Sequence, residues 1–180
     1  MWSSLQRAPY ACQSGDDSDD EVDTRPPSRE WPRARVYAAL IDPEAIARWK
    51  VPTGMRSEVH AFEPHVGGAF RISLTYDAPG RAGKTTAQTD TYHGRFLELV
   101  PNERVVEMDE FEAEDPALQG EMIVTITLVD ADGGTDVVGV HEGLPPGVSI
   151  EDNEAGWRSA LARLAALVEE AEDEPSEQSG

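Results

Sequence analysis

The chain has 180 residues, 39% of them hydrophobic, and a formal net charge of −20. That length suits one domain with tails, and so acidic a surface excludes a nucleic-acid partner, whose phosphates need cationic contacts. It equally disfavours an anionic membrane surface, and no stretch approaches the roughly 20 apolar residues of a membrane span.

Residues 1–31 read as a poorly ordered acidic segment. Between Gln13 and Glu30 the one strongly apolar side chain is Val22, and Pro26, Pro27 and Pro32 break any regular element. Cys12 is the single cysteine, so no internal disulfide forms, and the first residues lack the apolar core of a signal peptide. A cytoplasmic location is the expectation. The folded domain is expected over 32–171, followed by an acidic tail at 172–180.

Pro32–Lys50 predicts two short helices joined by a kink. Val36, Tyr37 and Leu40 fall at helical spacing; Asp42 then acts as N-cap, with Pro43 at the first helical position and Glu44 favourable to the dipole. Ile46 and Trp49 give the second helix its buried face. The period then changes to two. Arg56–Phe62 alternates, Gly67 and Gly68 signal a turn, and Phe70, Ile72, Leu74 and Tyr76 share one side of a strand. Ala78–Thr86 is a loop. Thr89–Leu99 is a strand with Tyr92 and Phe96 on one face, Pro101–Glu103 a turn, and Arg104–Phe111 the next strand. After the acidic loop Glu112–Gly120, Met122, Val124, Ile126 and Leu128 mark a strand. Asp132–Gly134 turns the chain into its partner, Thr135–Glu142.

A loop over Gly143–Val148 leads to the clearest helix, 153–171. Trp157, Leu161, Leu164, Val168 and Ala171 form its apolar stripe, widened by Leu167, with Glu151, Asp152 and Glu154 at its N-terminal end. The fold class is therefore α+β: a six-stranded antiparallel meander whose concave face is the one large surface able to cover that stripe.

Short helices, meander and long C-terminal helix together resemble the helix-grip fold of START lipid-transfer domains and polyketide cyclases, the SRPBCC superfamily. Particular wording is similar to its activator-of-Hsp90-ATPase-homologue branch. The matching pieces are Val36–Glu44, Arg48-Trp49, Gly67–Phe70, Val100–Val106, Val124–Leu128, Gly134-Thr135, His141–Gly143 and Gly156-Trp157, in the branch's order. The resemblance implies a curved sheet of about six to seven strands around the helix, with an apolar cavity between them. It also implies a strand before the first helix. Leu5–Cys12 alternates and can be that strand, displaced on a long linker. Otherwise the strand is absent and an edge is left exposed, inviting a homodimer, or the sequence upstream of Arg35 reflects an altered start or frame.

The expected cavity walls are Trp49, Phe70, Ile72, Leu74, Tyr76, Tyr92, Phe96, Met108, Met122, Val124, Val137, Trp157 and Leu161, each of which also serves as ordinary core. His141 shares strand parity with Val137 and Gly139, so it faces the cavity whenever Val137 does. There it either orients a ligand, acts as an acid or base, or simply bonds to backbone. Gly139 leaves room for a ligand or for the approach of Trp157.

The histidines, His60, His65, His93 and His141, lack metal-ligand spacing, and no cofactor is expected. The segment from Ala78 to Thr85 has the flavour of a phosphate-binding loop but lacks its first glycine and the helix after it, so that reading is rejected. Three functions remain. They are a binding module for a small hydrophobic or amphipathic molecule, a cyclase-type enzyme using His141 with Tyr92, and a contact with a chaperone ATPase.

Overall fold

The computed structural model describes residues 33–170, apart from 79, 81, 82, 87, 132 and 133. The acidic segments at either end and the strand considered over Leu5–Cys12 lie outside the described residues.

Helix α1 (Arg33–Leu40) buries Val36, Tyr37, Ala39 and Leu40. Helix α2 (Pro43–Trp49) starts as the sequence predicts. The Asp42 carboxylate accepts from the Glu44 and Ala45 amides at 2.7 and 3.0 Å, satisfying two N–H groups that the first turn leaves open. Lys50 closes α2, its amide donating to the Ile46 carbonyl at 2.9 Å.

Six strands follow: β1 (Met55–Phe62), β2 (Ala69–Tyr76), β3 (Thr89–Val100), β4 (Arg104–Phe111), β5 (Met122–Ala131) and β6 (Gly134–Glu142). They form one curled antiparallel sheet in the order β1-β2-β3-β4-β5-β6. Bulges between Val59 and Ala61 and between Phe96 and Glu98 bend the ribbon and increase its twist. Ala131 pairs with Gly134, so the last hairpin closes over two residues, as expected from the Asp-Gly-Gly sequence. The acidic loop after β4 contains one short turn, Pro116–Leu118, whose Ala117 amide donates to Asp115 at 2.9 Å.

Helix α3 spans Ile150–Glu170, beginning three residues earlier than the stripe alone suggests. Its start is set by Ser149, whose hydroxyl accepts from the Asp152 amide at 3.2 Å. Within the described residues the predicted stripe is the buried one: Leu161, Leu164 and Val168, with Ala160, are covered, and Trp157 and Leu167 pack beside them; Ala171 lies outside the described residues. At roughly 1.5–3 kcal/mol for each fully buried aliphatic side chain, this stripe supplies much of what holds α3 to the sheet. Opposite it lie Phe70, Ile72, Tyr92, Phe96, Val105, Val124, Ile126 and Leu128, all buried.

Candidate functional site

Register decides what faces the interior. Because cross-strand partners share a face, Phe96, Glu107, Val124 and His141 form one row across β3 to β6. The next row is Phe62, Phe70, Gly94, Asp109 and Met122, and the one after it Val59, Ile72, Tyr92 and Phe111. Gly94 has a steric reason to be glycine. A Cβ there would stand 2.5 Å from the Phe70 ring, so its absence lets that ring lie across β3.

Two of those inward positions are carboxylates. Glu107 and Asp109 are 4% and 5% exposed, and Lys50 reaches them from the end of α2 while itself 8% exposed. The Lys50 ammonium is ion-paired with Glu107 and lies 3.9 Å from Asp109 Oδ2. The rings of Phe70, Tyr92 and Trp157 surround the same ammonium at 5.5, 5.6 and 5.9 Å. Burial pulls Lys50 down, but the paired Glu107 carboxylate outweighs it and holds the amine above its ordinary value, so it stays charged. Burial, then the neighbouring Glu107, pushes the Asp109 carboxyl up to about 8 against the pull of Lys50. Burial raises the Tyr92 phenol, keeping it neutral.

His141 closes this group from β6. Its ring stands edge-on to Trp157, centroids 4.6 Å apart, and the Asn153 amide nitrogen approaches Nδ1 at 3.5 Å. Burial, then the Lys50 charge, lowers the imidazole to about 4. Gly139 admits the indole: Trp157 is the nearest side chain to where its Cβ would be, at 4.0 Å.

The expected wall residues fall into distinct places. Phe70, Ile72, Tyr92, Phe96, Val124 and Leu161 are buried on the facing surfaces of sheet and helix, with Val137 and Trp157 partly buried against them. Leu74 and Tyr76 continue the inward side of β2 and are half-buried. Met122 is buried and pairs with Asp109. Trp49 is wholly buried at the joint of the helices. Its indole N–H donates to the Ala39 carbonyl at 2.9 Å, and its ring meets Trp157 edge-on at 6.3 Å. Met108 is the correction. It pairs with Arg95 and Ile123, so it projects from the face of β4 opposite to Glu107 and Asp109.

Lys50, Glu107 and Asp109 were not among the sequence candidates. The signal was parity: Val105, Glu107, Asp109 and Phe111 alternate, placing two carboxylates between two apolar residues on one side of β4. A similar misreading hid Asp90, buried beside Leu74 in register and ion-paired with Lys84 at 2.6 Å. That pairing gives Lys84 a structural role in the β2–β3 connection, in keeping with the rejected phosphate-loop reading.

The opposite face of the sheet carries a second polar chain. Glu58 lies 3.6 Å from His60 Nδ1, His60 Nε2 is 2.8 Å from the Ser73 hydroxyl, and that hydroxyl is 2.8 Å from Thr91 Oγ1. The order of groups suits nucleophile activation, but Ser73 sits mid-strand, paired with Glu58 and Thr91. The surrounding N–H groups belong to two ladders and cannot converge on an oxyanion. Among the described residues no group of three or more His, Cys, Asp or Glu is placed to hold a metal ion. Nor is any described helix long and apolar enough to cross a membrane.

A curled antiparallel sheet gripping one C-terminal helix, with two short helices at its open side, defines the helix-grip class. Residues 30–169 match the family model described as activator of Hsp90 ATPase homolog 1-like protein, and the chain belongs to that family. It is similar to a crystal structure from Chromobacterium violaceum at 40% identity, covering 77% of this chain and 90% of that one, with a TM-score of 0.69. Two more distant structures share the fold. A Rhodobacter sphaeroides protein is 23% identical over 79% of this chain and 88% of its own, TM-score 0.64. An AHSA1-like protein from Aeromonas hydrophila is 19% identical over 85% and 95%, TM-score 0.59. No curated protein matches the chain.

Proposed function

We propose that the chain binds a small apolar or amphipathic molecule between the concave face of the sheet and α3. The apolar body would lie against Phe70, Tyr92, Phe96, Val124, Trp157 and Leu161, with a polar end at Lys50, Glu107, Asp109 and His141. One observation carries this reading: three ionisable groups, Lys50, Glu107 and Asp109, are buried together on the inner side, with the ammonium ringed by Phe70, Tyr92 and Trp157. A purely structural interior of this size would be filled more stably with hydrocarbon, because each buried ion forfeits several kcal/mol of hydration. Such an arrangement suits a recognition surface, apolar over most of its area with a few fixed polar groups.

Gentle purification of the full chain followed by native mass spectrometry tests the reading. A retained small molecule, released on denaturation, is the expected result. A bare chain that also shows no saturable tryptophan quenching by apolar probes would end it.

A cyclase-type enzyme is the second reading, favoured by the partly buried His141 on the same inner row of the sheet as Glu107. Replacing His141 with Ala separates the two, since an acid–base role predicts a rate loss of roughly 10²–10⁴. A binder would keep its affinity within a few fold.

A further inference from the structure

Two atoms of this interior, Asp109 Oδ1 and His141 Nε2, are buried and have no hydrogen-bond partner among the described residues. Each belongs to a group whose other polar atom is engaged. Asp109 Oδ2 faces the Lys50 ammonium at 3.9 Å, and His141 Nδ1 faces the Asn153 amide at 3.5 Å. Unsatisfied buried groups are rare in folded proteins because each forfeits its hydration, so two on one inner surface call for a partner from outside.

We propose that the interior selects an uncharged guest bearing an acceptor oxygen, such as a ketone, ester or amide carbonyl, held by donation from Asp109 Oδ1 and His141 Nε2. The inference rests on the ligand-binding reading above and names the chemistry of its guest.

The donor assignment follows from the neighbours. Oδ2 is the oxygen turned to the ammonium, 3.9 Å away, where a proton would be repelled, so a proton on the Asp109 carboxyl sits on Oδ1. With its carboxyl raised to about 8, Asp109 carries that proton at neutral pH. Asn153 Nδ2 donates to His141 Nδ1, which places the proton of the neutral ring on Nε2. Lowered to about 4, the ring stays neutral. Both orphans are then neutral donors.

Charged guests are disfavoured by the same residues. Lys50 is the cation that an anion would seek, and it is already paired with Glu107. With Asp109 protonated the cluster sums to zero, so a carboxylate would shed its water without a free counter-charge. An ammonium would meet two donors and a lysine. The aromatic rings of Phe70, Tyr92 and Trp157 accommodate the apolar remainder.

The test uses the full chain and four naphthalenes of similar size: acetylnaphthalene, ethylnaphthalene, naphthoate and naphthylmethylammonium. Binding is followed at neutral pH by tryptophan quenching and calorimetry. Acetylnaphthalene should bind about tenfold more tightly than ethylnaphthalene, the worth of one well-placed hydrogen bond. It should also bind more tightly than either ion. In Asp109→Asn, which keeps a donor and cannot ionise, the preference should persist; in Asp109→Leu it should shrink. If ethylnaphthalene equals the ketone, or either ion binds best, the inference fails while the binding reading stands. If none of the four binds, both fail.

Discussion

Trp157 on α3 stands edge-on to His141 on β6, ring centroids 4.6 Å apart, so the helix is keyed to the last strand through one aromatic contact. The same indole meets Trp49 at 6.3 Å, which ties that contact back to α2. Replacing Trp157 with Ala should therefore do two things at once. Stability should fall by up to about 3 kcal/mol, less than for a fully enclosed tryptophan. Water should also reach the imidazole, and because burial is the main cause of its low value, the His141 titration should move upward from about 4. An NMR titration of the ring protons with an unchanged midpoint would contradict this account of its pKa.

The Lys50–Glu107 pair predicts a marked asymmetry between breaking and replacing. Glu107→Leu strips the buried ammonium of its partner and should cost up to about 3–5 kcal/mol, less to the extent that Asp109, no longer opposed by Glu107, ionises beside Lys50. Adding Lys50→Met removes the stranded charge and should recover most of that loss. Urea unfolding of the two single variants and the double variant gives the cycle. A double variant no more stable than Glu107→Leu would mean that the charge is not what destabilises the single one.

Stability should depend on pH in a direction set by Asp109. Its native carboxyl, at about 8, holds a proton that the unfolded chain has released above roughly 4. The stability it contributes is full below the unfolded value and declines as pH rises to about 8. His141, lowered to about 4, works oppositely and adds stability between there and its ordinary value. From about pH 6.5 to 8 Asp109 acts without that opposition, with Lys50, Tyr92, Glu107 and His141 as the ionisable groups around it. Unfolding free energy should fall there by at most about 1.4 kcal/mol per pH unit. Asp109→Asn should flatten the slope; an equally steep slope in that variant assigns it to other groups.

Gly94 supplies a steric prediction. A methyl group there meets the Phe70 ring and the Met108 carbonyl, so Gly94→Ala should destabilise by about 1–3 kcal/mol despite alanine's better strand entropy. Pairing it with Phe70→Leu should relieve part of the loss, as thermal unfolding will show.

Much of this fold was legible because each element carries its own periodic signal. The stripe through Trp157, Leu161, Leu164 and Val168 and the alternation through Phe70, Ile72, Leu74 and Tyr76 both describe the faces turned inward, fully buried at Phe70 and Ile72 and half-buried at Leu74 and Tyr76. The Asp42 cap was equally plain, since a capping aspartate before proline has few other local uses. The polar interior was harder to read. On β4, Val106 and Met108 advertise an apolar face, whereas Glu107 and Asp109 occupy the inner one. Nothing local reveals that a lysine 57 residues earlier arrives to neutralise them. Tertiary pairing overrode the hydrophobic pattern, and it did so where the structure concentrates its chemistry.

The unbroken neighbour-to-neighbour strand order has a kinetic consequence. Each strand pairs with its neighbour in sequence, so the sheet can zip as successive hairpins, the longer β2–β3 and β4–β5 connections adding little to the loop-closure entropy because it grows slowly with length. Contacts distant along the chain gather instead where α3 docks onto α1 and α2. We therefore expect assembly to run from ribbon to closure, the interior being sealed at the final step. Low φ values at Trp157 and Leu164, against higher ones in β3 and β4, would bear this out; the reverse ordering would show that the helix nucleates the sheet.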